Sequence, residues 1–176
     1  CKFKNIDGVI LAYANYQDQQ IQELLNSDIP LVTVDYRMNK RSAVCFDYAE
    51  GIKKLVSYVY KMGHQRIAYI HGEDKEHSNT YDRLKSFIHT TEELGIKVPK
   101  EYIIEGKYID AELTRKHTRE LLKLPVPPTC IMYPNDYSAI AGMGEMSRLG
   151  MRVPDDISVV GYDGITIANV VWPELT

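Results

Sequence analysis

The stretch Ile52-Lys53-Lys54-Leu55-Val56-Ser57-Tyr58-Val59-Tyr60-Lys61-Met62-Gly63-His64-Gln65-Arg66-Ile67-Ala68-Tyr69-Ile70-His71-Gly72 decides the fold of this chain. In its first half Ile52, Leu55, Val56 and Val59 recur at helical spacing, and Gly63 falls where such a helix should stop. In its second half Ile67-Ala68-Tyr69-Ile70 is apolar without alternation, which marks a strand covered on both faces. A helix that runs directly into a doubly covered strand is part of a β-α repeat.

The same pairing recurs outward from this stretch. Strand-length runs stand at Gly8-Val9-Ile10-Leu11-Ala12-Tyr13, Leu31-Val32-Thr33-Val34-Asp35, Ala43-Val44-Cys45-Phe46, Tyr102-Ile103-Ile104, Cys130-Ile131-Met132-Tyr133 and Ile157-Ser158-Val159-Val160. Helical spacing returns at Leu84, Phe87, Ile88, Thr91 and Leu94, and less strictly at Tyr137, Ile140, Ala141, Gly144 and Leu149, with Gly95 and Gly150 as stops. The alternation predicts an α/β fold with parallel sheets and right-handed crossovers, whose ligands lie beyond the carboxyl ends of the strands. Pro125-Val126-Pro127-Pro128 reads as a stiff helix-to-strand connection.

A chain of 176 residues with 44% hydrophobic residues has a globular composition and can bury a sizeable core. Its 21 Lys+Arg against 24 Asp+Glu leave no overall basic footprint, so DNA contact by bulk electrostatics is not expected. No apolar run approaches the ~18 residues that span a bilayer, so no membrane partner is expected. Three cysteines, Cys1, Cys45 and Cys130, are an odd number without framework spacing and read as reduced thiols in a cytoplasmic setting. Cys1 stands where a start methionine would, and Val171 to Thr176 carry no helix cap or polar tail, so both ends are expected to be cut.

Just past the strands stand Asp35 and Tyr36, Asp47, His71 and Gly72, Asn135 and Asp136, and Tyr162 and Asp163. One carboxylate after a strand is often a helix cap, whereas several acids and an amide on one rim point to a polar cleft. Arg83, near the start of its helix, is placed to reach that rim; taken alone it reads as a surface partner of Asp82 or Glu76. Carboxylates accept from adjacent hydroxyls, a guanidinium donates and an amide does both, which suits a polyhydroxylated ligand. Tyr36, Tyr108 and Tyr162 offer faces for a sugar ring, but 13 tyrosines leave no single one decided.

No catalytic set emerges. His71, Asp74, Glu76 and His77 fit no common metal-site spacing, and Cys45 and Cys130 lie within apolar strands as inert thiols. Gly142-Met143-Gly144-Glu145-Met146-Ser147 sits inside a helical pattern rather than at a strand-to-helix turn, which argues against a dinucleotide loop. A phosphorylated receiver built on Asp35 would need an acidic pair near the first strand and a later lysine, and neither is evident. The chain is therefore expected not to be an enzyme and to hold no metal or cofactor.

Two segments go further than pattern. Gly63 to Gly72, with Arg83 and Phe87 downstream, and Val153-Pro154-Asp155-Asp156-Ile157-Ser158-Val159-Val160-Gly161-Tyr162-Asp163, followed by Pro173-Glu174-Leu175-Thr176, resemble the LacI/GalR family of transcription regulators. The resemblance extends to Ile6-Asp7-Gly8-Val9-Ile10 and to Pro128-Thr129 through Gly150, nearly the whole chain. It implies two Rossmann-like lobes of the type I periplasmic-binding-protein kind, with residues 1–47 and 162–176 forming an incomplete N-terminal lobe and 48–161 the C-terminal lobe. It further implies that Asp35, Asn79, Arg83, Tyr108, Asn135 and Asp163 face a small effector, of carbohydrate type, held between the lobes. In such a regulator the effector controls operator binding by a helix-turn-helix headpiece outside this sequence, in a homodimer. A sugar-binding protein of an ABC importer shares the architecture; the Val153-to-Asp163 segment favours the regulator. The sequence departs from the family pattern at Ser86, where glycine is usual, and at Gly164, where a second acid often follows.

Overall fold

The computed structural model describes residues 6–12, 14–38, 41–73 and 79–175, with the side chain of Asn79 outside that description. The chain divides into two compact units, Cys1–Asp47 and Tyr48–Thr176.

In the first unit β1 (Val9–Leu11), β2 (Leu31–Val34) and β3 (Ser42–Val44) form a parallel sheet in that order. α1 (Gln19–Leu25) links β1 to β2, and Asp18 caps it by accepting from the Gln20 and Ile21 N–H groups at 2.8 and 3.3 Å. Leu24 and Leu25 of this helix pack with Leu11 and Leu31. Beyond its carboxyl end the Arg41 guanidinium donates to the carbonyls of Leu25, Ser27 and Ile29, the acceptors that a helix end and its exit turn leave unpaired. Double coverage of the strands, expected from their unbroken apolar runs, does not extend to this sheet. Ile10, Val44 and Phe46 stay exposed, because α1 alone among the described helices of this unit packs on the sheet.

The second unit carries β4 (Ile67–His71), β5 (Ile103–Glu105), β6 (Cys130–Met132) and β7 (Ser158–Val160), all parallel in the order β5-β4-β6-β7. The two-residue period of strands sorts their side chains into two cores. Ile67, Tyr69, Cys130, Met132 and Val160 meet Ile52, Val56 and Val59 of α2 (Tyr48–Lys61) and Phe87 of α3 (Asn79–Glu93). Ala68, Ile70, Ile131, Tyr133 and Val159 meet Leu121 of α4 (Ala111–Leu122) and Ala139, Met143 and Met146 of α5 (Asp136–Arg148). All five residues of β4 are buried, which is why its sequence shows no polar alternation. Gly63, Gly95 and Gly150 take φ of 95°, 71° and 75° just past α2, α3 and α5, as their placement predicts.

Two local expectations need correction. The strand read from Tyr102 begins at Ile103, because Lys100–Tyr102 forms a 3-10 turn that buries Tyr102 with its hydroxyl donating to the Val126 carbonyl at 2.6 Å. α4 was not signalled by apolar spacing, because its buried face holds Thr114, His117 and Thr118 beside Leu121. The hydroxyls of Thr114 and Thr118 are satisfied by the carbonyls of Asp110 and Thr114 at 2.8 Å each. After β7, Leu175 joins the α4–α5 core and the Ile165 N–H donates to Asp136 Oδ2 at 2.7 Å. No described helix is long and apolar enough to cross a membrane.

α4 and α5 are also joined by an ion pair. Glu145, only 5% exposed, accepts from Arg119 Nη1 at 2.8 Å and lies 3.5 Å from Arg148 Nη1. The Arg119 hydrogen bond holds the Glu145 carboxyl below the ordinary glutamate range. A carboxylate with a lowered native pKa stabilises the fold above its unfolded value, and that contribution disappears as pH falls through the native one. Glu145→Gln is therefore expected to lower the melting temperature at neutral pH, and the gap from wild type should narrow as the buffer is acidified below the glutamate range; thermal unfolding followed by circular dichroism across pH measures it.

Candidate functional site

Arg83 lies in the second turn of α3, with Thr80 one turn before it, and is carried across the carboxyl ends of β6 and β7. It is only 5% exposed. Its Nη1 donates to the Pro134 carbonyl, just past β6, at 3.0 Å, and its Nη2 stands 4.0 Å from Asp163 Oδ1, just past β7. The guanidinium carbon lies 4.2 Å from the Tyr48 ring centroid and 4.1 Å from that of Tyr162, within cation–π range of both. The Nε–H is buried and meets no hydrogen-bond partner among the described residues. The surface-partner reading of this arginine is thereby overturned: its charge is drawn inward by a carbonyl, two aromatic faces and a carboxylate.

Asp163 is half-exposed and stands at φ 99°, in the left-handed region that side chains other than those of glycine, asparagine and aspartate rarely enter. Burial pushes its carboxyl up, Arg83 pulls it back down, and Asp136 adds a smaller upward push. Asp136 itself is buried and holds the turn after β7 by accepting from the Ile165 N–H. Gly161 makes the close approach possible, since a Cβ there would fall 2.3 Å from Asp136 Oδ1.

Tyr108, in the turn after β5, is locked from three sides. Its hydroxyl shares a 2.7 Å hydrogen bond with Thr80 of α3, and its carbonyl accepts from Asn135 Nδ2 at 2.8 Å and from Ser138 Oγ at 3.3 Å. A Cβ at Gly72 would come within 2.4 Å of its ring, so the glycine after β4 leaves the space that the ring fills. Asn135 also caps α5, its Oδ1 accepting from the Ser138 N–H at 2.9 Å. Its amide therefore serves the architecture on both sides.

In the first unit Asp35 follows β2 with φ 57°, its Oδ1 accepting from the Phe46 N–H at 3.2 Å. Beside it the ring of Tyr36 is stacked on that of Tyr16, centroids 3.6 Å apart. Asn79 opens α3 with its side chain outside the described residues, and Asp74, Glu76 and His77 fall outside them as well. Burial pushes the Cys130 thiol up to about 12, which leaves it protonated and unreactive. No group of three His, Cys, Asp or Glu among the described residues is arranged to hold a metal ion.

The family described as periplasmic binding protein-like domain matches residues 56–176 of this sequence. The chain belongs to that family. Over nearly its whole length this periplasmic-binding-protein-like domain is similar to LacI-type repressors. It is 32% identical over 173 residues to the probable HTH-type transcriptional repressor ExuR of Bacillus subtilis, covering 97% of this chain and 51% of that protein. It is 30% identical over 175 residues to the HTH-type transcriptional repressor CytR of Escherichia coli, covering 98% and 51%. The crystal structure of a regulatory protein of the LacI family from Chloroflexus aggregans superposes with a TM-score of 0.85 at 29% identity, covering 97% of this chain and 62% of that one. The chain thus spans about half the length of the curated relatives it matches.

Of the positions read from the sequence, Arg83, Tyr108, Asn135 and Asp163 are joined in the second unit by the contacts above, while Asp35 belongs to the first. Tyr48 and Thr80 were not read from the sequence. Tyr48 opens a helix and Thr80 follows the helix start at Asn79, and neither lies just past a strand. Asn135→Ala removes both the cap of α5 and the tie to Tyr108, and is expected to lower stability in urea denaturation by roughly 1–2 kcal/mol.

Proposed function

We propose that this domain is the effector-sensing core of a LacI-type transcriptional regulator and that it binds a sugar or similar polar metabolite. The observation that carries the reading is the buried Arg83 guanidinium, whose Nε–H meets no partner among the described residues and lies in the same cluster as the half-exposed carboxylate of Asp163, at the carboxyl ends of parallel strands. A donor and an acceptor held close together suit adjacent hydroxyls, and a ligand lacking them would leave the buried donor unpaired. Asp35, Asn79, Tyr108 and Asn135 complete the proposed set, Asn135 through the frame it gives Tyr108 as much as by direct contact.

In the complete protein a ligand that prefers one arrangement of the lobes by ~1–3 kcal/mol shifts operator affinity about 5- to 150-fold, and operator shifts ligand affinity reciprocally by the same factor. The relatives named as HTH-type repressors support a helix-turn-helix headpiece as the DNA-reading part. A cytoplasmic setting and a homodimer, whose symmetry would pair two headpieces, go with that reading. Residues 162–176 would then lead back towards the N-terminal lobe in the complete protein. These relatives are transcriptional repressors and disfavour the importer reading.

A thermal-shift screen of monosaccharides, disaccharides, sugar phosphates and nucleosides on the complete protein identifies the ligand, and titration calorimetry follows its affinity. Arg83→Ala is expected to weaken binding roughly ten- to 150-fold, the equivalent of a charged hydrogen bond of ~1.5–3 kcal/mol. Unchanged affinity would refute the site. Because the Asp163 carboxyl is raised, wild-type affinity should begin to fall on acidification above the ordinary aspartate range, whereas Asp163→Asn should bind more weakly throughout and lose that pH dependence.

A further inference from the structure

We infer that Ser86 is a positioning residue: its hydroxyl holds the first turn of α2 in register on α3 and thereby keeps Tyr48 against the Arg83 guanidinium. The inference rests on the reading of Arg83 as a ligand donor. Ser86 and Arg83 are three residues apart on α3 and share one face of it. Ser86 Oγ donates to the Ala49 carbonyl at 2.6 Å, in the first turn of α2. Tyr48, immediately before Ala49, places its ring 4.2 Å from the guanidinium carbon.

The same turn also receives the second aromatic wall. A Cβ at Gly51 would fall 2.3 Å from the Tyr162 hydroxyl, so Tyr162 lies against α2 where no side chain intervenes, with its ring 4.1 Å from the guanidinium carbon. The two ring centroids are 6.3 Å apart, with their planes inclined by 39°, and Arg83 sits in the angle between them. Tyr48, Ala49 and Gly51 thus form one small platform, and Ser86 is the residue of α3 that grips it.

Apolar packing alone does not fix that grip. Ile52, Val56, Val59 and Phe87 hold α2 and α3 together, but hydrophobic contact is non-directional and tolerates sliding. The Lys53–Glu93 pair at 3.3 Å is half-exposed and constrains little. A hydroxyl donating to one particular carbonyl is directional, and it acts at the end of the helix pair where Arg83 lies. Since Ser86 is only partly buried, losing its hydroxyl opens no core cavity and leaves the fold in place.

The test follows the Arg83 Nε–H resonance in the full 176-residue chain labelled with 15N-arginine and kept without ligand, the signal being assigned by its absence in Arg83→Lys. Ring currents from Tyr48 and Tyr162 should set it apart from the other arginine signals. In Ser86→Ala and Ser86→Gly that displacement should be lost while far-ultraviolet circular dichroism is retained, and Ser86→Thr, which keeps the donor, should restore it. A signal that stays in place in both Ser86→Ala and Ser86→Gly, or one that Ser86→Thr fails to restore, overturns the inference. Should Ser86→Ala not fold, the pair Ser86→Thr and Ser86→Cys carries the same contrast, with the displacement kept by the hydroxyl and lost with the weaker thiol donor. No sugar takes part in this measurement. A displacement that depends on Ser86, alongside a sugar screen without hits, would therefore overturn the proposed function and leave the latch standing.

Discussion

A guanidinium taken out of water must be compensated locally, and in this domain that requirement organises the carboxyl edge of the second sheet. An isolated buried charge is prohibitively unfavourable, so a buried arginine persists only where fixed partners replace its hydration. Arg83 finds a carbonyl past β6, a carboxylate past β7 and two tyrosine rings, one from α2 and one from the turn after β7. Among the described residues the compensation is incomplete, since the Nε–H meets no partner there and Asp163 stands at 4.0 Å rather than in close contact. Under the proposed function, that remaining donor is where a further polar group would bind.

The supporting shell is built for rigidity. Tyr108 is bonded through both its hydroxyl and its carbonyl, Asn135 is engaged at both amide atoms, and Asp136 ties down the turn that carries Asp163. Glycines at positions 51, 72 and 161 each leave a gap that a neighbouring polar or aromatic side chain fills. Preorganisation of this kind lowers the ordering cost of binding, because side chains already held in place lose little freedom when a ligand arrives.

The sequence made the second unit legible because its strands are buried on both faces, so Ile67 to Ile70 and Cys130 to Tyr133 carry no polar alternation to confuse the reading. It was less informative where burial is achieved with polar atoms. α4 hides Thr114, His117 and Thr118, and those residue types carry no apolar period. The residues past the strands were readable because open parallel sheets concentrate function there, and Arg83 could be placed by its position near a helix start. Tyr48 and Ser86 were not, since their roles depend on how two helices lie side by side, which local spacing does not encode.

The left-handed backbone at Asp35 and Asp163 also bears on how such a protein could change its chemistry over time. Few residue types tolerate that conformation without strain, chiefly glycine, asparagine and aspartate, so drift at these two sites is confined to a narrow alphabet. Under the proposed function, a lineage adapting to a new metabolite has more room elsewhere, in aromatic residues such as Tyr108 and Tyr162 on ordinary backbone. Each aspartate is then an anchor fixed by its own backbone, and selectivity diverges at the tyrosines.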